Sequence, residues 1–590
     1  MGKKSRAKQS GKPTGAAIRA KKELLKMATE LFKLGVTCPS RQDEWDYYLK
    51  LYNAVQEFSR RQSTACKGIT PSVDRESAVD GFETWLKESG VSWDKLKLHY
   101  FGGELGFGLV AKEDINMKSL LMSIPRTLMI TYEEATKSYL DEVIAGNEVL
   151  SVMPNVCLAL FIHCERCIPN SKYKPFIDII PSKFNTTLYF TPEEMKHLKG
   201  SPSLSTAINQ YKSIVRQFAL LYQVFHSNHQ KSDIAKIPLE AREAFTFDAY
   251  RWSVSAVTTR QNKIPTTLLT AYNSDNDDDE LLSTIALIPL WDMFNHSNGP
   301  LSTTYNVGGK TIDCFAMCDF KSGEEVTICY GGRPNSELLI HNGFVVTENP
   351  FDKVKINLGV SPKDPLYKKR TKLLQRLGVV VNGQFPICAM DSNFPTSPDL
   401  LAFLRVFHME EDGLDEWLEK DTKELPALRE VYLTGPLVFK ADPKMWLYLE
   451  NRVSLLLMGL NKSLDGELDS MLEDKSLSTH AKLALQLRGE EKRVLTACME
   501  FCKQFRLSLI SEKPIESFVN GSSSESADVK ESFVRNKVLE KLIKKSQTDE
   551  PNDNTESVQN EDNEIIQKLS AVDIETTDSI NTTSDNAVVT

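Results

Sequence analysis

Five short clusters in this sequence hold residue types whose spacing suits chemistry. Gly106-Phe107-Gly108-Leu109-Val110-Ala111 matches the G-x-G-x-x-G/A pattern of dinucleotide-binding turns. That pattern needs a helix directly after the turn, so that the pyrophosphate meets the helix N-terminus; here Lys112-Glu113-Asp114-Ile115 leads instead into an extended stretch containing Pro125. A Rossmann reading therefore falls, and the glycines predict a tight turn closely approached by another group. The other clusters are Thr259-Arg260-Gln261-Asn262-Lys263-Ile264-Pro265, Leu290-Trp291-Asp292-Met293-Phe294-Asn295-His296, Ile328-Cys329-Tyr330-Gly331-Gly332-Arg333 and Glu337-Leu338-Leu339-Ile340-His341-Asn342-Gly343-Phe344. Each has a bland reading when taken singly. His296 reads as a hydrogen-bonded core histidine, Tyr330 as a strand aromatic, and Arg260 as half of an ion pair.

The elements that must position these clusters follow from periodicity and composition. The chain has 590 residues, 41% hydrophobic, with 71 Lys and Arg against 80 Asp and Glu. Residues 546–590 hold 11 acids and one Lys, so this tail carries −10 of the formal −9 and leaves 1–545 near +1. Such a tail cannot bury a core. The near-neutral remainder argues against a dedicated nucleic-acid binder with a strongly basic face. No window approaches the ~18 apolar residues of a spanning helix, and Met1 to Lys22, with eight bases and no acid, lacks the apolar segment of a signal peptide. An intracellular protein without a membrane anchor is expected. Arg6 stands where a myristoylation signal needs Ser or Thr.

The 11 cysteines are odd in number and scattered, which argues against a disulfide framework. Cys164-x2-Cys167 has no second ligand pair to close a zinc site, so no metal is expected. Asp275-Asn276-Asp277-Asp278-Asp279-Glu280 lacks the Gly and the distal Glu of a calcium loop, and reads as solvated. Along the chain, residues 1–19 read as a disordered basic arm and 20–74 as two helices, the second with a core stripe of Trp45, Tyr48, Leu49, Tyr52 and Val55. A β-rich domain is expected over 75–346, with a short helix at Phe82 to Ser89, a helical insertion at about 150–255 and an acidic loop at 268–282. Strand signals recur at 96–101, 108–111, 284–290, 311–318 and 326–330. Amphipathic segments 399–420, 443–460 and 479–508 predict a separate, all-helical domain over 350–510, and 511–590 a disordered acidic tail with one short basic helix at 534–545. The fold class is therefore α+β.

Together and in this order, the last four clusters and the Gly-x-Gly turn resemble the SET-domain methyltransferases. The resemblance covers about residues 20–510 and extends to the Rubisco large-subunit methyltransferase-like class, which has a helical insertion and a C-terminal substrate-binding domain. Four strings match the branch that methylates a histidine of actin: Thr-Arg-Gln-Asn-x-Ile-Pro at 259–265, Leu-Ile-Pro-Leu-Trp-Asp-Met-x-Asn-His at 287–296, the opening Met-Gly-Lys-Lys-Ser-Arg and Leu-Leu-Ala-Phe-Leu-Arg-Val-Phe at 400–407. The lack of a Cys cluster after Tyr330 agrees, because this class closes its site without a zinc-bound segment.

The resemblance implies S-adenosylmethionine as cosubstrate, held by Arg75, Leu105, Gly106, Phe107, Arg260, Asp292, Met293, Phe294, Asn295, His296, Asn342, Gly343 and Phe344. It places Tyr330 at the methyl channel, and Asn262 and Trp291 beside a flat, polar target ring. Leu105 stands at a position usually acidic in the family, Gly332 and Pro334 alter the loop after Tyr330, and Asn342 replaces a common Ser. Actin is the implied protein partner and the cytoplasm the implied location, with the nucleus left open; a monomer is expected.

Physical chemistry separates histidine from lysine as the target. A lysine at pKa ~10.4 must lose its proton near neutral pH at a cost of about 4–5 kcal/mol, whereas imidazole at ~6.5 is already mostly neutral. A histidine enzyme instead needs a group that holds one ring nitrogen so the other presents its lone pair, and the amide of Asn262 suits that task. The expected activity is methyl transfer to a histidine of actin. A protein-lysine methyltransferase and a silent SET-fold adaptor are the alternatives.

Overall fold

The computed structural model describes residues 15–65, 74–103, 105–226, 232–265, 283–298, 303–307, 310–389, 394–430, 442–462 and 468–511. The basic arm up to residue 14, the acidic loop and the tail beyond 511 lie outside them. The chain forms two compact units. The first comprises Met1–Pro192, Ser205–Cys329 and Ile340–Gly343, and the second Glu193–Leu204, Tyr330–Leu339 and Phe344–Thr590.

The first unit opens with two helices, Gly15–Val36 and Glu44–Ala65, packed on each other. The first begins inside the stretch expected to be an arm, because Ala16, Ala17 and Ala20 favour helix and no breaker follows Gly15. The core stripe of the second helix is rotated from the expected one. Tyr47, Tyr48, Leu51, Val55 and Phe58 are buried, while Trp45, Leu49 and Tyr52 are half-buried. The partner surface sets this rotation: Tyr48 meets Tyr211, and Phe58 meets Phe218 and Tyr222 edge-on, with centroids 5.7, 5.4 and 5.1 Å apart. The next helix, Arg75–Glu88, starts earlier than expected because Asp74 caps it, accepting the Ser77 N–H.

Three small antiparallel sheets follow. β1 (Leu96–Gly102) pairs β2 (Gly106–Ala111), which pairs β9 (Glu325–Val326). β3 (Leu120–Pro125) pairs β8 (Thr311–Ala316), which pairs β7 (Thr303–Val307). In the third sheet β6 (Ser283–Leu287) is central, flanked by β4 (Ile130–Thr131) and β5 (Asn262–Pro265). The Lys321-Ser322-Gly323 turn thus lies between strands of different sheets, and its Gly323 N–H donates to Ala111 O at 2.8 Å.

Pairing of β4 and β5 with opposite edges of β6 explains the helical insertion. The chain leaves one edge, runs through helices from Tyr132 to Thr258, and returns to the other edge at Asn262. The expected 150–255 captured its most apolar part, the buried helix Pro154–Cys167.

The second unit holds helices Pro398–His408, Glu411–Glu419, Asp442–Lys462 and Thr479–Ser511 around one apolar core. It is not all-helical, as was expected. β10 (Lys353–Gly359) and β11 (Asn382–Cys388) form a two-stranded antiparallel sheet, and the strict in-out alternation of Val354, Ile356 and Leu358 is the period-2 signal of a half-buried strand. Trp446 is fully buried beside Phe501 and Phe505. A buried pair, Arg405 and Asp442, joins two helices through Nε to Oδ1 and Nη2 to Oδ2, both 3.1 Å. Cys498 and Cys502, one helical turn apart, are buried with sulfurs 4.0 Å apart.

Candidate active site

Two glycines shape the first part of the site for different reasons. β1 and β2 form a hairpin in register Tyr100↔Phe107 and Gly102↔Gly106, and Gly102, Gly103 and Gly106 all have positive φ. The Gly-x-Gly cluster is therefore a hairpin turn, with no helix after it. Gly106, at φ +63°, needs that freedom, and a Cβ there would lie 3.3 Å from Arg75 Nη1. Gly108 instead provides space: a Cβ would lie 2.7 Å from Asn295 Nδ2 and 2.8 Å from Glu325 Oε1, two atoms joined by a 2.8 Å hydrogen bond.

The second part is electrostatic. Arg75, the first residue of its helix, lies over the Phe107 ring at 4.8 Å and donates Nε–H to Ile179 O at 2.7 Å. Burial holds its guanidinium down at about 10, and the positive charge of Arg260 pushes in the same direction. Arg260 follows the helix Phe247–Thr258, donates to Thr259 Oγ1 at 2.7 Å, and brings Nε to 3.9 Å from Asp292 Oδ2. The Asp292 side chain is only 2% exposed. Neither of its carboxylate oxygens has a hydrogen-bond partner from another residue among those described. Burial lifts this carboxyl to about 7, against the pull of Arg260. Two arginines and one half-titrated carboxylate leave an excess of buried positive charge, which attracts an anion.

Local backbone geometry aims the remaining groups. Asn262 opens β5 opposite Ala286, and its Nδ2 donates to Arg260 O at 2.9 Å, which fixes the plane of the amide. After β6 the chain passes Leu290 at φ +72° and ψ −45°, a buried non-glycine residue at positive φ near the γ-turn region, before the one-turn 3-10 helix Trp291–Met293. Such a position stores about 1–3 kcal/mol of strain and marks backbone held by its surroundings. Trp291 packs edge-on to Phe294 at 5.5 Å. Next, Ile328 N–H donates to Asn295 O and Ser297 N–H to Ile328 O, both 3.0 Å, so the Asn-His segment runs parallel to the strand end just before Tyr330. Gly343, at φ +88°, is crowded by backbone: a Cβ would lie 2.9 Å from Asn185 C and 3.0 Å from Thr186 N. Asn342 Oδ1 is buried with no hydrogen-bond partner among the described residues.

The first unit thus gathers Arg75 with Gly106 and Phe107, Arg260 with Asn262 and Asp292, and Asn295 with Gly108. Met293 and Phe294 have buried side chains, and their backbone N–H groups donate to Leu290 O and Trp291 O, both at 3.1 Å. Leu105 is 60% exposed at the hairpin tip. Tyr330 and Phe344 belong to the second unit, where their rings meet at 6.2 Å and 67°. Sequence reasoning missed Glu325, Gln210 and the positive φ of Leu290. Gln210 donates Nε2–H to Ile340 O at 3.4 Å and accepts from Thr187 Oγ1 at 3.3 Å, tethering the segment before Asn342. None of the three carries a local signal. Among the described residues no group of three His, Cys, Asp or Glu side chains could hold a metal, and no helix is long and apolar enough to cross a membrane.

Two family models match the chain: the SET domain over residues 106–331, and the Rubisco LSMT substrate-binding domain over 361–495. The solved SET domain of LSMT bound to lysine and AdoHcy superposes with a TM-score of 0.58 at 21% identity, covering 79% of this chain and 99% of that one. Rubisco LSMT bound to AdoMet gives 0.57 at 21% identity, covering 79% and 100%. These matches define a two-domain SET protein. An actin-histidine N-methyltransferase of Danio rerio is 39% identical over 503 residues, 84% of this chain and 80% of that protein. That of Homo sapiens is 37% identical over the same shares. The chain belongs to the actin-histidine N-methyltransferase family of SET-domain proteins.

Proposed function

We propose that this protein transfers a methyl group from S-adenosylmethionine to a ring nitrogen of a histidine in actin. The observation that carries this reading is the 39% identity over 80% of a relative bearing that name. The site geometry supports it independently. A zwitterionic amino-acid group needs cations for its carboxylate and an acceptor for its ammonium, and Arg75, Arg260 and the Asp292 oxygens, which accept no hydrogen bond from another described residue, match that pattern. Asn342 Oδ1 and the backbone around Gly106 and Asn295 to His296 add polar groups suited to the rest of the molecule.

The bound cosubstrate supplies an electrophilic sulfonium methyl, and this chain's residues do the rest by binding, orienting and excluding water. Asn262 holds the target ring: with Nδ2 committed to Arg260 O, its Oδ1 is the free end of the amide to accept the imidazole N–H. The proton held there leaves the other ring nitrogen with its lone pair in the ring plane. Trp291, locked against Phe294, supplies a rigid flat wall, and the Tyr330 hydroxyl orients the reacting group. No strong base is needed, because the imidazole is mostly neutral at physiological pH. The protein is proposed to work as a cytoplasmic monomer with no membrane or nucleic-acid partner.

The test is mass spectrometry of actin, and of matched peptides with His, Lys or Ala at the target position, after incubation with protein and S-adenosylmethionine. A single added methyl on the His peptide, lost in Tyr330→Phe with S-adenosylhomocysteine binding retained, is expected. Methylation of only the Lys peptide indicates a lysine enzyme, and no transfer from a protein that binds actin tightly indicates an adaptor.

A further inference from the structure

Tyr330 is followed by two glycines that cannot position it alone. Gly331 has φ +100°, outside the range that holds other residues, and a Cβ on Gly332 would lie 2.9 Å from the Phe351 ring. Besides its ring contact with Phe344, the place of Tyr330 in the second unit therefore depends on where the chain is next pinned. The pin is a wholly buried polar cluster, with Asn335 and Asn349 at 0% and Asp352 at 1% exposure. Asn349 Nδ2 donates to Arg333 O at 2.8 Å. Asn335 Nδ2 donates to Val346 O at 2.9 Å and to Asp352 Oδ2 at 2.8 Å. Its Oδ1 accepts the Val346 N–H, and its own N–H reaches Asp352 Oδ1, both at 2.9 Å. Asn335 thus uses its side-chain carbonyl, both amide hydrogens and its backbone donor.

Its bonds to Val346 close the excursion of chain from 335 to 346. That excursion contains the π-turn Leu338–Asn342, a rare backbone form concentrated at functional sites, and then Gly343 and Phe344. Asn349 and Phe351 hold the other flank, at Arg333 and Gly332. Satisfied buried networks are rigid, because every alternative arrangement leaves a polar group unpaired. An apolar core at these positions would bury the same surface without specifying one register.

We propose that Asn335, Asn349 and Asp352 form a clasp of positioning residues that sets Tyr330 and Phe344 for methyl transfer without touching substrate or cosubstrate. The proposal rests on the methyltransferase reading above. Misplacement by about 1 Å away from the chemistry costs up to about 100-fold in rate. Asn335→Ala should therefore lower kcat by about 10- to 100-fold, while KM for the His peptide moves less than about 3-fold. Hydrogen exchange of the full-length protein should show faster exchange across 331–346, with helix Asp442–Lys462 still protected. The swap Asn335→Asp with Asp352→Asn keeps a donor facing an acceptor across the pair, and should recover part of the kcat lost by either single change. Asn349→Ala removes the bonds to Arg333 O and from the Phe351 N–H, leaving the Asn335–Asp352 pair in place, and serves if Asn335→Ala does not fold.

A folded variant with kcat within about 2-fold of wild type, or with loss of protection spread evenly through the second unit, overturns the clasp. If wild-type protein transfers no methyl to any peptide, the methyltransferase reading fails instead, and exchange alone decides: unchanged protection over 331–346 in the variants refutes the clasp as well.

Discussion

Asp292 should make cosubstrate binding pH-dependent around neutrality. Its carboxyl, lifted to about 7 by burial, is roughly one-tenth ionised at pH 6 and nine-tenths at pH 8. Only the ionised form accepts an ammonium at full strength, so the Kd for S-adenosylhomocysteine should tighten by about 10-fold over that interval, about 1.4 kcal/mol. Binding at pH 7 should release roughly half a proton. Calorimetric titration in two buffers of different ionisation heat measures both quantities. Asp292→Asn fixes the neutral state, and should bind weakly with a slope reduced to whatever the ligand's own amine contributes. Equal slopes in wild type and Asp292→Asn, or no proton release at pH 7, would refute the assignment. The same lifted carboxyl has a defined effect on stability. The folded state keeps a proton that the unfolded chain gives up, so stability falls as pH rises from about 4 to about 7 and is level above, by at most about 4 kcal/mol in this term.

Three further outcomes follow from particular contacts. Asn262→Leu removes the amide proposed to fix the imidazole tautomer, and should lower kcat/KM on the His peptide by about 10- to 100-fold, equivalent to one lost buried hydrogen bond, with a smaller loss on the Lys peptide, read by mass spectrometry. Gly108→Ala drives a methyl into the Asn295–Glu325 hydrogen bond, and should destabilise the protein by about 1–3 kcal/mol in chemical denaturation while weakening S-adenosylhomocysteine binding. Asp442→Ala leaves Arg405 charged and buried, and should cost about 3–5 kcal/mol, whereas replacing both members with apolar residues should cost much less.

Much of this protein was legible along the chain. The Gly-x-Gly turn excluded a dinucleotide fold because no helix follows it, a local property, and the hairpin has no such helix. The segments around 400, 450 and 490 declared themselves as helices through their 3.6-residue period. The order of five motifs carried the family. The sheet of β10 and β11 was not expected although Val354, Ile356 and Leu358 alternate, because a seven-residue alternation is a weak signal beside the long helical periods that follow it.

Other features exist only once distant segments meet. Arg75 and Arg260 become one positive site because folding removes both from water and brings them within each other's field, and desolvation sums over neighbours that no window of sequence contains. Leu290 adopts a positive φ that its own side chain disfavours, so packing around it had to supply the energy. The need for glycine at 108 comes from Asn295 and Glu325, about 190 and 220 residues further along the chain. Local pattern settled which elements form and what chemistry their residues can do; charge, strain and spacing at the site came from long-range packing, because those energies belong to neighbours rather than to neighbourhoods in sequence.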